Sequence, residues 1–369
     1  MKRILFLMLI SLMSFNLMAF TSEVKTVKLE DGEVINTRIC LPDNDVATIV
    51  FCISGTGPST YLTKRPTFNY NDELAKGFCE QGLAFFTYDR RGCKTGEKPP
   101  FFVEVDSVKY AKYGPLQEAE DIEVMILSLF KDRRFKKCKI ILYGISEGTI
   151  IAPIVVERGN VKIDALLLHG YAHDNMFDII KWQNEGYGVM NMVNAVFDRN
   201  GDKAISFEEY ENTDKQVLAC KSQLFQNAPF ESLDVVKDSL IDIRDIRRMR
   251  APFHDYLMKC VTENNWAWIK SNYFNVMPQW FKEHFCLEPN KTRLLRINIP
   301  IYVFHGKDDA NVPVESVLDL QARFDVCNKT NLTVYVFEKH NHDLNYLDWL
   351  SDKKWSEGYK TIFRVAKNI

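Results

Sequence analysis

The chain has 369 residues, of which 46% are hydrophobic and 26% are charged, and its formal net charge at pH 7 is −2. This balance is ordinary for a globular protein, and the length suffices for an α/β core with an inserted segment. Basic residues are scattered, and the densest basic cluster, between Arg244 and Arg250, alternates with acidic residues. A nucleic-acid-binding function is therefore not expected. The nine cysteines include no C-x-x-C pair and do not indicate a metal site.

The N-terminus has the pattern of a secretory signal peptide. A short basic head, Lys2 and Arg3, precedes an apolar stretch from Ile4 to Phe20 that ends in small residues near Ala19. We expect residues 1–19 to be cleaved and the protein to be exported, either secreted or periplasmic. The alternative is an uncleaved leader that anchors the protein in a membrane.

The predicted elements before residue 171 alternate between strands and helices. The Asp31-Gly32 pair predicts a hairpin between the first two strands, and Gly82 ends the first predicted helix. Strands that alternate with helices imply crossover connections and a mostly parallel sheet after the opening hairpin. Strands are predicted at 24–29, 34–41, 48–53, 83–88, 140–143 and 165–168, and helices at 70–81, 116–131 and from 148 to about 158.

The alternation stops at about Tyr171 and resumes at Ile299. The residues between carry no strand pattern and are rich in helix formers, aromatic residues and charges. We therefore predict an α/β core, with a central sheet flanked by helices, and an inserted helical lid above it. The core comprises residues 20–170 and 291–369, and the lid residues 171–290. Later strands are predicted at 299–304 and 332–337, and later helices at 314–324 and 356–365.

The pentapeptide Gly144-Ile145-Ser146-Glu147-Gly148 lies between a predicted buried strand and a predicted helix. That context is typical of a nucleophile elbow, in which a sharp turn exposes the serine above the sheet. The flanking glycines are expected because a Cβ atom there would clash with the neighbouring strand or helix. Ser146 is therefore the candidate nucleophile.

A serine hydroxyl becomes a good nucleophile when a base takes its proton and a third group orients that base. In the elbow arrangement the chain order is serine, acid, histidine. Asp308 and Asp309 follow one later strand, and His340 and His342 follow the next. His342 is favoured over His340 because it lies farther out on its loop.

A nucleophilic serine that attacks a carbonyl group also needs hydrogen-bond donors for the resulting oxyanion. One donor is expected at the backbone N–H of Glu147, directly after the nucleophile, and the other on the loop after the third strand. Residues 54–58, Ser-Gly-Thr-Gly-Pro, form such a loop, and its glycines let the backbone approach a substrate. We place the second donor at Thr56, with Gly57 as the alternative.

Together these motifs resemble the signature set of α/β-hydrolase-fold serine esterases, a broad group that includes serine aminopeptidases and dienelactone-hydrolase-like proteins. The resemblance covers about residues 45–170 and 295–369. It implies Asp309 as the acid, from its place in an H-G-x-x-D-x-x-V-P pattern, and His342 as the base. The motifs are Gly55-Thr56-Gly57-Pro58, Tyr88-Asp89-Arg90-Arg91-Gly92, Gly144 to Gly148, Ile151-Ala152-Pro153 and Asn341-His342.

The resemblance implies hydrolysis of small-molecule carboxylic esters through an acyl-serine intermediate, with no cofactor needed for the chemistry. Two positions depart from the group's pattern: Ile145 stands where histidine is frequent, and Thr149 where a further glycine is common. Substrate and pocket shape stay open for this reason. A peptidase or a thioesterase of the same fold is the alternative, because fold does not determine function.

Within the predicted lid, residues 198–209 closely fit the twelve-residue calcium loop of an EF-hand, with flanking helices expected at about 180–197 and 207–219. Position six requires a positive φ but is Lys203, which is expected to cost about 1 kcal/mol in backbone strain and to weaken binding through its charge. The expected ligands are Asp198, Asn200, Asp202, the carbonyl of Ala204, Ser206 through water, and bidentate Glu209.

Residues 234–245 resemble a second, degenerate loop, in which position three is Val236 and has no side-chain oxygen. Ile205 and Ile241 occupy position eight of the two loops, so we expect these residues to pack together as in an EF-hand pair. Calcium is expected in the first loop and only weakly in the second. Since extracellular calcium is millimolar, it would fill even a weakened loop and stiffen the lid.

The end of the lid is rich in aromatic residues, which either line an acyl pocket or form the lid's own core. The aromatic residues are Trp266, Trp268, Tyr273, Phe274, Trp280, Phe281 and Phe285.

The sequence as a whole leaves two classes of function. The first is an exported serine esterase with an EF-hand in its lid, and the second is a calcium-binding or interaction protein on an inactive hydrolase scaffold.

Overall fold

The computed structural model describes residues 20–369, so the predicted signal peptide lies outside the described residues. Within residues 20–369, no helix combines the length and the apolar character needed to cross a bilayer. The strands, in chain order, are β1 Thr21–Lys28, β2 Val34–Leu41, β3 Thr48–Ile53, β4 Ala84–Tyr88, β5 Cys93–Thr95, β6 Val103–Val105, β7 Lys139–Ile145, β8 Ala165–His169, β9 Ile205–Ser206, β10 Leu240–Ile241, β11 Ile301–Gly306 and β12 Leu332–Phe337.

Eight of these strands form one sheet in the order β1-β2-β4-β3-β7-β8-β11-β12. β2 is antiparallel to both β1 and β4, and all other neighbours in the sheet are parallel. Every residue of β3, β4 and β8 is buried, which explains why these strands are continuous apolar runs. The predicted mostly parallel sheet with an antiparallel opening is confirmed. Its parallel strands end at one edge, where the loops that follow them meet.

Helices cover both faces of this sheet. The first and last helices of the core pack on one face, through Phe78 and Phe363, and three others pack on the opposite face, through Ile122, Ile151 and Val317. The helices are α1 Tyr70–Cys79, α2 Ser107–Tyr110, α3 Pro115–Leu129, α4 Gly148–Arg158, α5 Met176–Asn184, α6 Tyr187–Phe197, α7 Phe207–Tyr210, α8 Lys215–Phe225, α9 Phe230–Leu233, α10 Ile243–Thr262, α11 Trp266–Asn272, α12 Pro278–Cys286, α13 Asn290–Arg293, α14 Glu315–Val326, α15 Tyr346–Asp352 and α16 Glu357–Lys367, with a 3-10 turn at Leu294–Arg296.

Residues 171–290 contribute no strand to the central sheet and are mainly helical, but two boundaries and one element differ from prediction. The helix expected at 180–197 is interrupted at Gly186, whose φ is 91°. The helix expected at 207–219 ends at Tyr210 and restarts at Lys215. The paired two-residue strands β9 and β10 were also not predicted. Apolar periodicity continues across such short breaks, so it did not reveal them.

Candidate active site

Ser146 lies on the turn between β7 and α4 with a φ of 54°. Its N–H donates to the carbonyl of His169, at the end of the adjacent strand β8, over 2.8 Å. A Cβ atom at Gly144 would lie 2.3 Å from the carbonyl oxygen of Gly148, and one at Gly148 would lie 2.3 Å from that of Ile53. Both glycines are therefore required for the turn, as the sequence predicted.

Asp309 and His342 follow β11 and β12, and the structure joins them by a hydrogen bond of 2.7 Å from His342 Nδ1 to Asp309 Oδ2. The other oxygen of Asp309 accepts the N–H groups of Asn311 and Val312. Burial alone would raise the pKa of Asp309, but His342 and these donors lower it. Burial alone would lower the pKa of His342, but Asp309 outweighs burial and raises it. The bond to ionised Asp309 holds a proton on Nδ1 and leaves Nε2 available as a base.

Ser146 and His342 line one cavity of about 430 Å³, together with Gly55, Thr56 and Glu147. In residues 20–369, no hydrogen bond joins Ser146 to His342, as is usual before a substrate binds. The N–H groups of Thr56 and Glu147 have no acceptor in the described chain. A Cβ atom built on Gly55 would lie 3.8 Å from Ser146 Oγ, so the loop is close to the candidate nucleophile.

Of the alternative residues, His340 does not line this cavity, and no hydrogen bond within residues 20–369 joins the carboxylate of Asp308 to His342. The ring of His340 instead donates through Nδ1 to the carbonyl oxygen of Glu338 at 2.8 Å. The structure therefore brings Ser146, Asp309 and His342 together and leaves both alternatives outside.

His169, the last residue of β8, and Gly170, directly after it, hold His342 in place. Nε2 of His169 donates to the carbonyl oxygen of His342 over 3.1 Å. The hydroxyl of Tyr143 donates to Nδ1 of His169 over 2.8 Å. Burial lowers the pKa of His169 to about 3, so the ring is neutral and has one donor and one acceptor nitrogen. A Cβ atom at Gly170 would lie 2.7 Å from Cε1 of His342. Sequence reasoning assigned neither residue a role, although both stand at the end of a predicted strand.

Arg90, after β4, fixes the loop that follows β3. Its guanidinium donates to the carbonyl oxygens of Ser54, Gly55 and Gly57. Arg90 is 1% exposed, and its charge is balanced by Glu118 on α3, with Nε and Oε2 2.9 Å apart. The backbone next to Ser146 is thereby held by a buried ion pair. Sequence reasoning placed Arg90 in a motif but did not predict this contact.

The buried side chain of Glu147 ties the turn to the lid. Its Oε1 accepts hydrogen bonds from Trp280 Nε1 at 2.6 Å and His284 Nε2 at 2.7 Å, both on α12, and its Oε2 accepts one from the hydroxyl of Tyr113. Burial by itself would raise the pKa of Glu147, but His284, Arg90 and the hydrogen bonds lower it to about 2. Sequence reasoning missed this cluster because Trp280 and His284 are more than a hundred positions away.

The lid also borders the cavity and contacts the Asp309 loop. Gln183 Nε2 donates to the carbonyl oxygen of Asn311 over 2.9 Å, and a Cβ atom at Gly188 would lie 1.8 Å from the carbonyl oxygen of Ala310. Some members of the aromatic segment line the cavity, whereas Phe281 is 1% exposed and belongs to the hydrophobic core that includes the central sheet, not to a separate core of the lid. The lid residues that line the cavity are Ala172, Met176, Ile179, Gln183, Tyr273, Phe274 and Trp280.

The two acidic loops of the lid share one hydrogen-bond pattern. At position one, Asp198 accepts the N–H groups of positions four and six at 2.7 and 2.9 Å, and Asp234 does so at 2.7 and 3.0 Å. At position twelve, Glu209 and Asp245 accept the N–H of position nine at 2.9 and 3.0 Å. The degenerate loop therefore has the backbone arrangement of the first.

The two loops also pair with each other. β9 and β10 are antiparallel, which places Ile205 opposite Ile241, as predicted. Lys203 and Ser239, at position six, have φ angles of 65° and 70°, so the expected positive φ is present in both. No group of three or more acidic, histidine or cysteine side chains in residues 20–369 is arranged to hold a metal ion. Calcium binding stays a prediction.

No family model matches the sequence, and no curated protein matches it. Solved structures do match. An esterase of Pyrococcus furiosus is 12% identical, with a TM-score of 0.51 over 95% of this chain and 93% of its own. DcsB, solved with its substrate analogue, is 16% identical, with a TM-score of 0.50 over 94% and 97%. A putative dipeptidyl aminopeptidase IV of Bacteroides ovatus is 11% identical, with a TM-score of 0.50 over 95% of this chain and 36% of its own.

At these identities the likeness shows the fold. The chain has the α/β-hydrolase fold, with a mostly parallel eight-stranded sheet flanked by helices. The activities in the names of these proteins are theirs, and the activity of this chain is argued from its site.

Proposed function

We propose that this protein is a serine hydrolase that cleaves carboxylic esters through an acyl-serine intermediate. Ser146 is the nucleophile, His342 the base and Asp309 the residue that orients the base. One observation carries this proposal: Ser146 and His342, from separate loops, line one cavity, and Asp309, from a third loop, is hydrogen-bonded to His342. The fold shared with esterases supports it.

In the first half of the reaction, Ser146 Oγ attacks the carbonyl carbon of the ester while His342 Nε2 takes its proton. Asp309 stabilises the resulting imidazolium. The carbonyl oxygen becomes an oxyanion and accepts hydrogen bonds from the N–H groups of Glu147 and Thr56, neither of which has an acceptor in the described chain. Collapse breaks the bond to the alcohol oxygen, which leaves with the proton from His342, and the acyl group stays on Ser146.

In the second half, a water molecule takes the place of the alcohol. His342 Nε2 removes a proton from the water as its oxygen attacks the acyl carbon. The second tetrahedral intermediate collapses to the carboxylic acid, and His342 returns the proton to Ser146 Oγ. The same two backbone donors stabilise both oxyanions.

A fluorophosphonate probe tests this assignment, because it labels only an activated serine. Wild type should be labelled and Ser146→Ala should not, while Ser271→Ala, at an exposed serine of α11, should label as wild type. Loss of Ser146 should lower kcat on an activated ester by about 10⁶-fold. Absence of labelling in wild type would overturn the enzyme proposal and favour a calcium-binding or interaction protein on an inactive scaffold.

Esters are proposed over the other substrates that a serine hydrolase can cleave. A p-nitrophenyl ester series of increasing chain length, the matched p-nitroanilides and the matched thioesters measure the preference directly. The highest kcat/KM is expected on an ester. A higher value on an anilide or a thioester would make the protein a peptidase or a thioesterase of the same fold.

We further propose that residues 198–209 bind Ca²⁺ and stiffen the lid, with no part in acyl transfer. The donors are all oxygens, which is the set that Ca²⁺ prefers. The bend of the loop supports the fit, since Glu209 at position twelve already reaches back to accept the N–H of Arg199 at position two. The second loop is expected to bind weakly because Val236 offers no side-chain oxygen. The residues that would hold the ion are Asp198, Asn200, Asp202, the Ala204 carbonyl, Ser206 through water, and Glu209.

A further inference from the structure

Among the described residues, one lysine or arginine side chain lines the cavity, and it is Arg65, on the loop between β3 and α1. Its guanidinium carbon lies 5.4 Å from the ring centroid of Phe101. It donates one hydrogen bond within residues 20–369, over 3.0 Å to the carbonyl oxygen of the preceding residue, Lys64. A guanidinium has five N–H donors, so most of those of Arg65 are available to solvent or to a ligand.

Within residues 20–369, Arg65 differs from the four buried arginines in having no counter-ion. Arg38, Arg90, Arg91 and Arg293 each form a salt bridge with a carboxylate. No carboxylate in the part of the chain that the structure describes forms one with Arg65. Removing an uncompensated charge from water is unfavourable, and burial accordingly lowers the pKa of this half-buried side chain.

Two carboxylates of the described residues, Glu147 and Asp343, line the same cavity, and neither forms a salt bridge with Arg65. Both oxygens of Glu147 already accept hydrogen bonds, one from His284 and Trp280 and the other from Tyr113, on the loop before α3. Asp343 is exposed, so water and salt screen its charge. A negative group on a substrate in this cavity would therefore meet an uncompensated cation.

We propose that the substrate is an ester that carries a carboxylate, and that Arg65 binds this carboxylate while Ser146 attacks the ester bond. This inference rests on the proposed esterase function. A planar guanidinium binds a carboxylate through two parallel hydrogen bonds. Arg65 selects the substrate and takes no part in making or breaking bonds. The carboxylate lies on either the acyl or the alcohol side of the ester, and matched substrates distinguish the two.

The test compares kcat/KM for charged esters and their neutral matches. For the acyl side, the pair is mono-p-nitrophenyl adipate and its methyl ester; for the alcohol side, it is 4-acetoxybenzoate and its methyl ester. Wild type should prefer the charged member of one pair. Arg65→Gln should reduce that preference by about ten- to a hundredfold and leave the neutral esters unchanged. Arg65→Lys should retain part of it, because an ammonium binds as a point charge.

Lys64→Gln is the matched control. It removes the same charge from the same loop, but Lys64 does not line the cavity, and its ammonium lies over the ring of Phe102 at 4.7 Å from the centroid. This variant should keep the wild-type preference. Equal losses in Lys64→Gln and Arg65→Gln would overturn the assignment, as would a wild type that prefers neither charged ester.

Binding without turnover separates this inference from the esterase proposal. Calorimetry on Ser146→Ala should show monomethyl adipate or 4-acetoxybenzoate binding at least about tenfold more tightly than on Ser146→Ala combined with Arg65→Gln. If this difference is found while wild type cleaves no ester, the esterase proposal fails and the carboxylate site stands. If the two proteins bind both ligands equally, the carboxylate site fails whatever the activity.

Discussion

The carboxylates of the candidate active site and those of the acidic lid loops differ in their burial and in their hydrogen-bond partners. In the site, Asp309 and Glu147 are each 1% exposed, and each accepts a hydrogen bond from a histidine of another element. In the first lid loop, Asp198 is half-buried, Asp202 is exposed, and both accept N–H groups from their own loop.

The difference lies in where the compensating charge comes from. Tertiary contacts compensate the carboxylates of Asp309 and Glu147, so both are held in place without a ligand. In the lid loop, Asp198, Asp202 and Glu209 form no salt bridge within residues 20–369, although Arg199 and Lys203 belong to the same loop. A bound cation would relieve the repulsion between these carboxylates. Substitutions in the site should therefore affect activity and the fixed position of the lid, whereas those in the lid loop should affect stability in a calcium-dependent way.

Asp309→Asn tests the hydrogen-bonded pair of Asp309 and His342 and should have the largest effect. The proposed base would lose its orienting carboxylate, and by analogy with the well-characterised serine-protease triad kcat should fall by about 10⁴-fold. Since the charge of Asp309 raises the pKa of His342, its removal lowers that pKa, and the acid limb of the kcat/KM profile should move to lower pH. Steady-state rates across that limb measure both effects. Asp308→Asn should behave as wild type, and an unmoved limb in Asp309→Asn would show that another group titrates.

Glu147→Gln tests whether the turn and the lid are joined by a buried pair. It replaces the buried carboxylate that accepts hydrogen bonds from His284, Trp280 and Tyr113, which should lower the free energy of unfolding by about 3 kcal/mol, measured by urea denaturation. Because the folded pKa of Glu147 lies below its ordinary 4.5, this stabilisation is present above pH 4.5 and is lost as the pH falls through about 2. As a control, Glu263→Gln removes an exposed pair with Lys259 and should cost less than about 1 kcal/mol. Equal costs would argue against the buried pair.

Gly170→Ala tests whether the backbone after β8 positions His342. Its Cβ would lie 2.7 Å from the His342 ring, and displacing that ring should lower kcat/KM by about 10²-fold. Gly159→Ala is the control: its φ of 69° is close to the 63° of Gly170, but its Cβ would meet nothing within 4 Å. Both variants should lose about 1 to 2 kcal/mol of stability from backbone strain. Full activity in Gly170→Ala would refute the positioning role.

Calcium addition tests the carboxylates of the lid loop at residues 198–209 and should have the smallest effect. Calcium at 100 times Kd should raise the free energy of unfolding by about 2.7 kcal/mol, seen as a higher melting temperature than in chelator. Glu209→Gln should abolish this shift, while Glu208→Gln, at the exposed neighbouring position, should keep it. Equal shifts in the two variants would exclude Glu209 as a ligand. Ester hydrolysis by wild type should change little.

The core was predictable because its buried strands are continuous apolar runs, as in β3 and β8, and because turn residues separate them. The candidate site was predictable in part, since the expected chain order singled out Ser146, Asp309 and His342, and the structure brings these three together. Their catalytic roles and the boundaries of the lid stay predictions. Within the lid, helix ends were predicted less well, because Gly186 interrupts a pattern that continues on both sides.

By itself, the sequence determined the features that depend on neighbouring residues. These include the glycines around Ser146, the positive φ of Lys203, and the alternation of strands and helices. Only the tertiary structure decided which distant groups meet: Glu147 with His284, and Arg65 with the cavity that Ser146 lines. The physical reason is that turns and strands follow from local sterics and apolar patterns, whereas contacts between distant residues depend on how the layers pack, which no local pattern encodes.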